Sequence, residues 1–216
     1  MTDYTAARDN MVDGQLRPTK VVDPRILAAM RELPRERFLP PASAPLAYID
    51  GDLKISATRS VVSPLVLARL IQLATPRAGE TALVVGAAGG YGAAVLAACG
   101  VEVTALEEDE TLHALATQAL AGIAGVHPVH GKLGDGWPQG GPYDLVLIEG
   151  SVRDIPDRIG RQVAQTGRLV TVVAAAGGGS TAVIAEPTQG GLAVRQAFDA
   201  TAPRLPSLWP APAFAF

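Results

Sequence analysis

Five small residues, Gly86-Ala87-Ala88-Gly89-Gly90, follow the β-favouring run Thr81–Val85 and lead into the alanine-rich stretch Tyr91–Ala97. Small residues at a strand-to-helix turn let the backbone come close to a ligand, and the helix that follows offers free N–H groups. Twenty-one residues after Gly86, Glu107 closes another apolar run, 101–106. A carboxylate there suits a ribose diol, because both hydroxyls can donate to one acceptor group. Two ligand classes share this geometry. A dinucleotide site calls for G-x-G-x-x-G, and counting from Gly86 puts Gly86, Ala88 and Tyr91 at its three places, which fails. The shorter G-x-G-x-G-like turn of S-adenosylmethionine sites needs no pyrophosphate cradle, and Gly86, Ala88 and Gly90 match it with one conservative replacement.

A second group of candidates precedes the helix that Pro64 opens: Arg59, Ser60, Val62 and Ser63. Arg59 is suited to grip a substrate carboxylate with both arms of its guanidinium, and is otherwise a solvated loop charge. Ser63 reads as the cap of the helix beginning at Pro64. Asp135 reads as an ordinary turn residue, and Trp137 and Trp209 as local anchors before prolines. His113, His127 and His130 lie on a helix and a weak strand with no accompanying ligand pattern, so no metal site is expected. Cys99 is the only cysteine; it excludes an intrachain disulfide and reads as a buried small residue.

The elements that must position these residues follow from the pattern of the chain. Its 216 residues are 48% hydrophobic and 18% charged, with 18 basic residues against 21 acidic, so a packed globule is expected and no basic stripe for a phosphate backbone. The charged N-terminus lacks a signal-peptide core, and no apolar run is long enough to span a bilayer; the expectation is a cytoplasmic protein with no membrane or nucleic-acid partner. Strands are expected at 81–85, 101–106, 126–130, 143–149 and 167–173, and helices around 91–98, 110–121 and 154–164. That alternation means βαβ units and a mostly parallel, α/β sheet covered on both faces. Asp23 and Pro24 start an earlier helix with Ile26, Leu27, Met30 and Leu33 on one face, and Leu67, Leu70, Ile71 and Ala74 form the buried face of the helix after Pro64. Between them, 47–64 reads as a surface loop with two short strand-like runs. "TAVIAEP" and "LAVRQAFD" read as an antiparallel hairpin, and the proline-rich end as a tail along the surface or the sheet edge. One domain, 1–216, is expected: a lead-in and loop over 1–64, an α/β core over 65–173, and a hairpin and tail over 174–216.

Several segments carry a resemblance. "MVDGQLRP", "VVDPRILAAMRELPRERFLPP", "AYIDGDL", "GAAGGYGAAVLA", "ALEED", "PYDLVLIEG" and "QTGRLVTVV" are similar, in order and spacing, to the protein-L-isoaspartate (D-aspartate) O-methyltransferases. The resemblance implies a class I methyltransferase fold, Rossmann-like, that transfers a methyl group from S-adenosylmethionine to L-isoaspartyl or D-aspartyl carboxylates of a damaged protein or peptide. It implies that Gly86, Ala87, Ala88, Gly89 and Gly90 line the methionine part of the cofactor, that Glu107, with Glu108 beside it, holds the ribose, and that Arg59, Ser60 and Val62 face the reacting carboxylate. Two departures stand out. The family's Gln-Thr-Ile-Ser loop reads Arg59-Ser60-Val61-Val62 here, with Val62 in place of the serine hydroxyl. Its Gly-Asp-Gly turn beside the adenine is replaced by Gly131-Lys132-Leu133, or slides to Gly134–Gly136. The expected function is protein repair by carboxyl methylation; a methyltransferase with another substrate, or a cofactor-binding protein without turnover, are the alternatives.

Overall fold

The structure, a computed structural model, describes residues 3–175 and 178–209. Helix α1 (Tyr4–Met11) starts at Asp3, whose carboxylate accepts from the Thr5 and Ala6 N–H groups. Helix α2 (Pro24–Glu32) starts as expected, with Asp23 as its cap and Pro24 at its first position; Ile26 and Met30 are buried while Leu27 is only partly so. The two strand-like runs of the next segment form a small antiparallel pair, β1 (Leu53–Lys54) and β2 (Ser60–Val61). Ser63 caps α3 (Pro64–Ala74), and Leu67, Leu70, Ile71 and Ala74 are its buried face.

The remaining elements are β3 (Thr81–Val85), α4 (Tyr91–Ala98), β4 (Glu102–Glu107), α5 (Glu110–Leu120), β5 (Val126–His130), β6 (Tyr143–Val152), α6 (Asp157–Gly160), β7 (Val163–Ala174), β8 (Ser180–Thr188) and β9 (Gly191–Asp199). Seven strands make one sheet in the order β5-β4-β3-β6-β7-β8-β9, parallel from β5 to β7 and antiparallel through β8 and β9. The expected hairpin is there, at the sheet edge. Alternate residues of each strand feed opposite faces. Ala82, Val84, Leu145 and Leu147 join the larger apolar cluster with α1 to α5, whereas Leu83, Val85, Val146 and Ile148 pack with Leu133, Tyr143, Ile159, Leu205 and Leu208. Burial on both faces is why these strands read as continuous apolar runs.

One expectation fails and another holds in part. The helix expected over 154–164 shrinks to the single turn of α6, because Val163 already pairs with Tyr143 at the start of β7. The described part of the C-terminal segment lies at the surface, with Arg204, Pro206 and Ser207 exposed, but not along the sheet edge. Ser151 N–H donates to Pro203 O (2.7 Å), Leu205 N–H to Ser151 O (3.2 Å) and the Trp209 indole also to Ser151 O (2.9 Å), which draws the segment across the carboxyl ends of the strands. Leu205, 1% exposed, ends up over Gly86 and Gly150. Residues 210–216 of that tail lie outside the described residues. No helix among the described residues is long and apolar enough to cross a membrane.

Candidate functional site

In an open α/β sheet the ligand crevice lies at the carboxyl ends of the strands, where the strand order reverses. Here that point is between β3 and β6, with β4 on the other flank of β3. The registers Val85↔Leu106 and Val85↔Ile148 bring Gly86, Glu107 and Glu149 side by side. The turn after β3 is built on alternating left-handed residues, with φ of 77° at Gly86, 49° at Ala88 and 91° at Gly90. These are the three places the short-turn pattern assigned to glycine, and Ala88 holds the conformation at a steric cost of about 1–2 kcal/mol. Gly89 is required for a different reason. A β-carbon there would lie 1.9 Å from the Phe38 carbonyl oxygen, so the "RERFLP" segment packs directly on the turn.

Glu107 is completely buried and its carboxylate is heavily engaged. Oε1 accepts from Arg59 Nη1 (3.1 Å), Glu108 N–H (2.9 Å) and Asp109 N–H (3.0 Å); Oε2 accepts from Arg59 Nη2 (3.0 Å) and Ala88 N–H (2.8 Å). Arg59 Nη2 also donates to Gly86 O (3.1 Å). Neither expectation for Arg59 holds: it is not a solvated charge, being 4% exposed, and its fork grips Glu107 rather than facing outward to a substrate acid. The physical reason is Coulombic. A buried carboxylate three strand ends deep needs a cation, and the loop before α3 delivers the one that fits bidentately.

Beside this pair lies a cavity of about 20 Å³ lined by Arg35, Phe38, Val62, Ala88, Tyr91 and Glu149, among others. That is room for one water. Arg35 is 2% exposed, donates from Nη2 to Val62 O (2.8 Å) and lies 5.1 Å from the centre of the Tyr91 ring, so it fixes the backbone at Val62. Burial pulls the Arg35 guanidinium down from its ordinary range and pushes the Tyr91 phenol up. Glu149 Oε1 is buried without a hydrogen-bond partner, as is Tyr91 Oη. Burial pushes the Glu149 carboxyl up to about 8, against the pull of Arg35 and Arg59 and with a small push from Glu107. Sequence reasoning missed Arg35 and Glu149. A signal for Glu149 was present: an acid directly after the apolar run Leu145–Ile148, as Glu107 follows the run 101–106.

The other candidates sort as follows. Ser60 is half-buried on β2, and Val62 is 4% exposed on the wall of the cavity. Glu108 and Leu133 are brought together, Leu133 N–H lying 3.4 Å from Glu108 Oε2, and Lys132 lines an open hollow of about 660 Å³ with Gly131, Asp135 and Trp137. Asp135 pairs with Arg158, at the exposed side of that turn. Trp137 N–H donates to Gln162 Oε1 (2.8 Å), a local anchor as expected. Cys99 is buried. His113 stacks at 5.4 Å from His130, and no group of metal-ligating side chains occurs among the described residues.

Residues 7–197 match the family model described as Protein-L-isoaspartate(D-aspartate) O-methyltransferase. The Protein-L-isoaspartate O-methyltransferase 1 of Rhodopseudomonas palustris (strain HaA2) is 40% identical over 176 residues, 81% of this chain and 72% of that protein. The Protein-L-isoaspartate O-methyltransferase of Methylorubrum populi is 39% identical over 181 residues, 82% of this chain and 84% of that protein. Among solved structures, a protein-L-isoaspartate O-methyltransferase superposes with a TM-score of 0.78 at 22% identity, covering 91% of this chain, which spans 65% of that one. A putative Plasmodium falciparum protein-L-isoaspartate O-methyltransferase in complex with S-adenosyl-L-homocysteine superposes at 0.75 and 16% identity, covering 95% of this chain and 99% of the other. At those identities the two structures establish the fold. The family-model match and the sequence relatives carry the assignment: the chain belongs to the protein-L-isoaspartate(D-aspartate) O-methyltransferase family.

Proposed function

We propose that this chain is an S-adenosylmethionine-dependent protein carboxyl methyltransferase acting on L-isoaspartyl and D-aspartyl residues of damaged proteins or peptides. The observation that carries the reading is the left-handed turn Gly86–Gly90 facing the Glu107 carboxylate at the switch point of the sheet. The donor set fits an adenosyl group. Glu107 is an acceptor for two ribose hydroxyls, the turn backbone is free of large side chains, and Glu108, Lys132 and Leu133 line up beyond it on the adenine side. Arg59 and Leu205 stand over the same ground and must move aside.

S-adenosylmethionine, when bound, supplies a methyl group on an activated sulfonium. The receiving carboxylate is already an anion at neutral pH, so the chain needs no strong base. What its residues provide is proximity, alignment and exclusion of water. Phe38, Val62 and Tyr91 wall the cavity beside the turn, and Arg35 holds the Val62 carbonyl. Val62 offers no hydroxyl to the substrate carboxylate, which slows the reaction without forbidding it: one unmade hydrogen bond is worth about 1–3 kcal/mol.

Radiolabelled methyl transfer to an isoaspartyl peptide and to its normal aspartyl twin tests the reading. Transfer to the isoaspartyl peptide alone is expected, rising by up to about tenfold in Val62→Ser for ~1.4 kcal/mol of recovered contact. Transfer to neither peptide, by wild type or variant, sinks it. A second reading, a cofactor-binding protein without turnover, is favoured by Val62, which lacks a hydroxyl; its signature is S-adenosylhomocysteine binding with no methyl transfer.

A further inference from the structure

A carboxylate has about four lone-pair sites on its two oxygens. Glu107 already receives five donors: two from Arg59 and one each from the Ala88, Glu108 and Asp109 amides. The three amides belong to the turn and to the start of α5, so they stay where the backbone stays. Only the two guanidinium bonds belong to a side chain that can leave. They are also the two that a ribose diol would replace, hydroxyl for N–H.

The rest of the geometry points the same way. The guanidinium bridges Glu107 at the end of β4 and Gly86 O in the turn after β3, spanning the two strand ends across which a nucleoside has to lie. Its backbone is fixed independently of that contact: Arg59 N–H donates to Ser56 Oγ (3.0 Å), and Arg59 O accepts from the Ile55 and Ser56 N–H groups. Rotation of the side chain therefore leaves the loop and β2 in place. Leu205 closes the same place from the other side, with its methyl carbons 3.0 and 3.2 Å from where a β-carbon on Gly86 would stand.

We infer that Arg59 is an internal occupant of the ribose seat, so that this chain takes an adenosyl ligand only by exchanging the Arg59–Glu107 ion pair for the two ribose hydroxyls. The inference rests on the methyltransferase reading and adds to it a residue that sets ligand affinity. A site closed by its own side chain binds with an affinity reduced by the fraction of time it stands open. Replacing Arg59 by glutamine, the residue at this place in the family's loop, removes the competitor and keeps a polar side chain. Lysine keeps the charge and loses the two-armed grip.

The test is calorimetric titration of S-adenosylhomocysteine into wild type, Arg59→Lys and Arg59→Gln, with thermal unfolding of each in the absence and presence of the ligand. Affinity is expected to rise from wild type through Arg59→Lys to Arg59→Gln, by at least tenfold overall. Without ligand the unfolding temperature is expected to fall in the same order, since Glu107 loses its partner, and the ligand is expected to raise it most in Arg59→Gln. Equal or weaker binding by both variants than by wild type overturns the inference and leaves the methyltransferase reading intact. Failure of all three proteins to bind overturns both. Tight binding by Arg59→Gln with no methyl transfer to any isoaspartyl peptide upholds the inference and sinks the methyltransferase reading. If Arg59→Gln does not fold, Arg59→Lys carries the comparison alone.

Discussion

Glu149→Gln is the perturbation whose effect can be worked out most fully. The carboxyl sits on β6, one residue past its pairing with β3, against the first turn of α4: a β-carbon on Gly92 would fall 1.6 Å from its Oε1. Burial moves its titration from 4.5 up to about 8, despite Arg35 and Arg59 nearby. The native protein therefore keeps a proton that the unfolded chain has already lost. Between those two values the unfolded state binds fewer protons than the native state, so wild-type stability falls as pH rises from about 4.5 to about 8 and levels off above. Each pH unit inside that window is worth at most about 1.4 kcal/mol. Glutamine resembles the protonated form and does not titrate, so the variant escapes this loss. Relative to wild type it should gain little at pH 5, on the order of 2–3 kcal/mol at pH 7, and most at pH 8. The measurement is urea unfolding of both proteins at pH 5, 6, 7 and 8, with the two free energies subtracted at each pH so that carboxylates common to both cancel. A difference that does not change across that range would refute the reasoning, because it would mean that Glu149 is ionised in the native protein as it is in the unfolded chain. The chemical consequence concerns the cavity that Val62 lines. A neutral carboxyl there is an O–H donor, whereas an ionised one would repel a substrate carboxylate.

Two further predictions concern the turn. Gly89→Ala should destabilise the protein by more than about 4 kcal/mol or prevent folding, since its β-carbon would lie 1.9 Å from a backbone oxygen, Phe38 O, that cannot rotate away; denaturant unfolding or soluble yield reads this. Ala88→Gly should stabilise it by up to about 1 kcal/mol, because glycine holds a φ of 49° without the β-carbon penalty, and a thermal unfolding temperature at or below that of wild type would contradict it.

The parts of this molecule that the sequence made legible are those whose causes are local. Ser63 and Pro64 announce α3 because the cap and the first helical position are adjacent in the chain. The apolar runs announce β3, β4 and β6 because both faces of the sheet are covered. Even the replaced glycine was legible, since alternate positions of one five-residue turn share one conformation. What stayed hidden depends on side chains that arrive from far along the chain. Arg59 meets Glu107 across 48 residues of sequence, and Leu205 reaches Gly86 from the segment after β9. No spacing rule reports such meetings. Two acids make the point most sharply. Glu107 and Glu149 flank the same turn, each following an apolar run, and their sequence contexts differ little. Glu107 collects five donors; Glu149 Oε1 collects none, and burial pushes its carboxyl up to about 8. Which acid is paired was decided by where Arg59 landed, and moving that one side chain would redistribute donors and open space beside the turn.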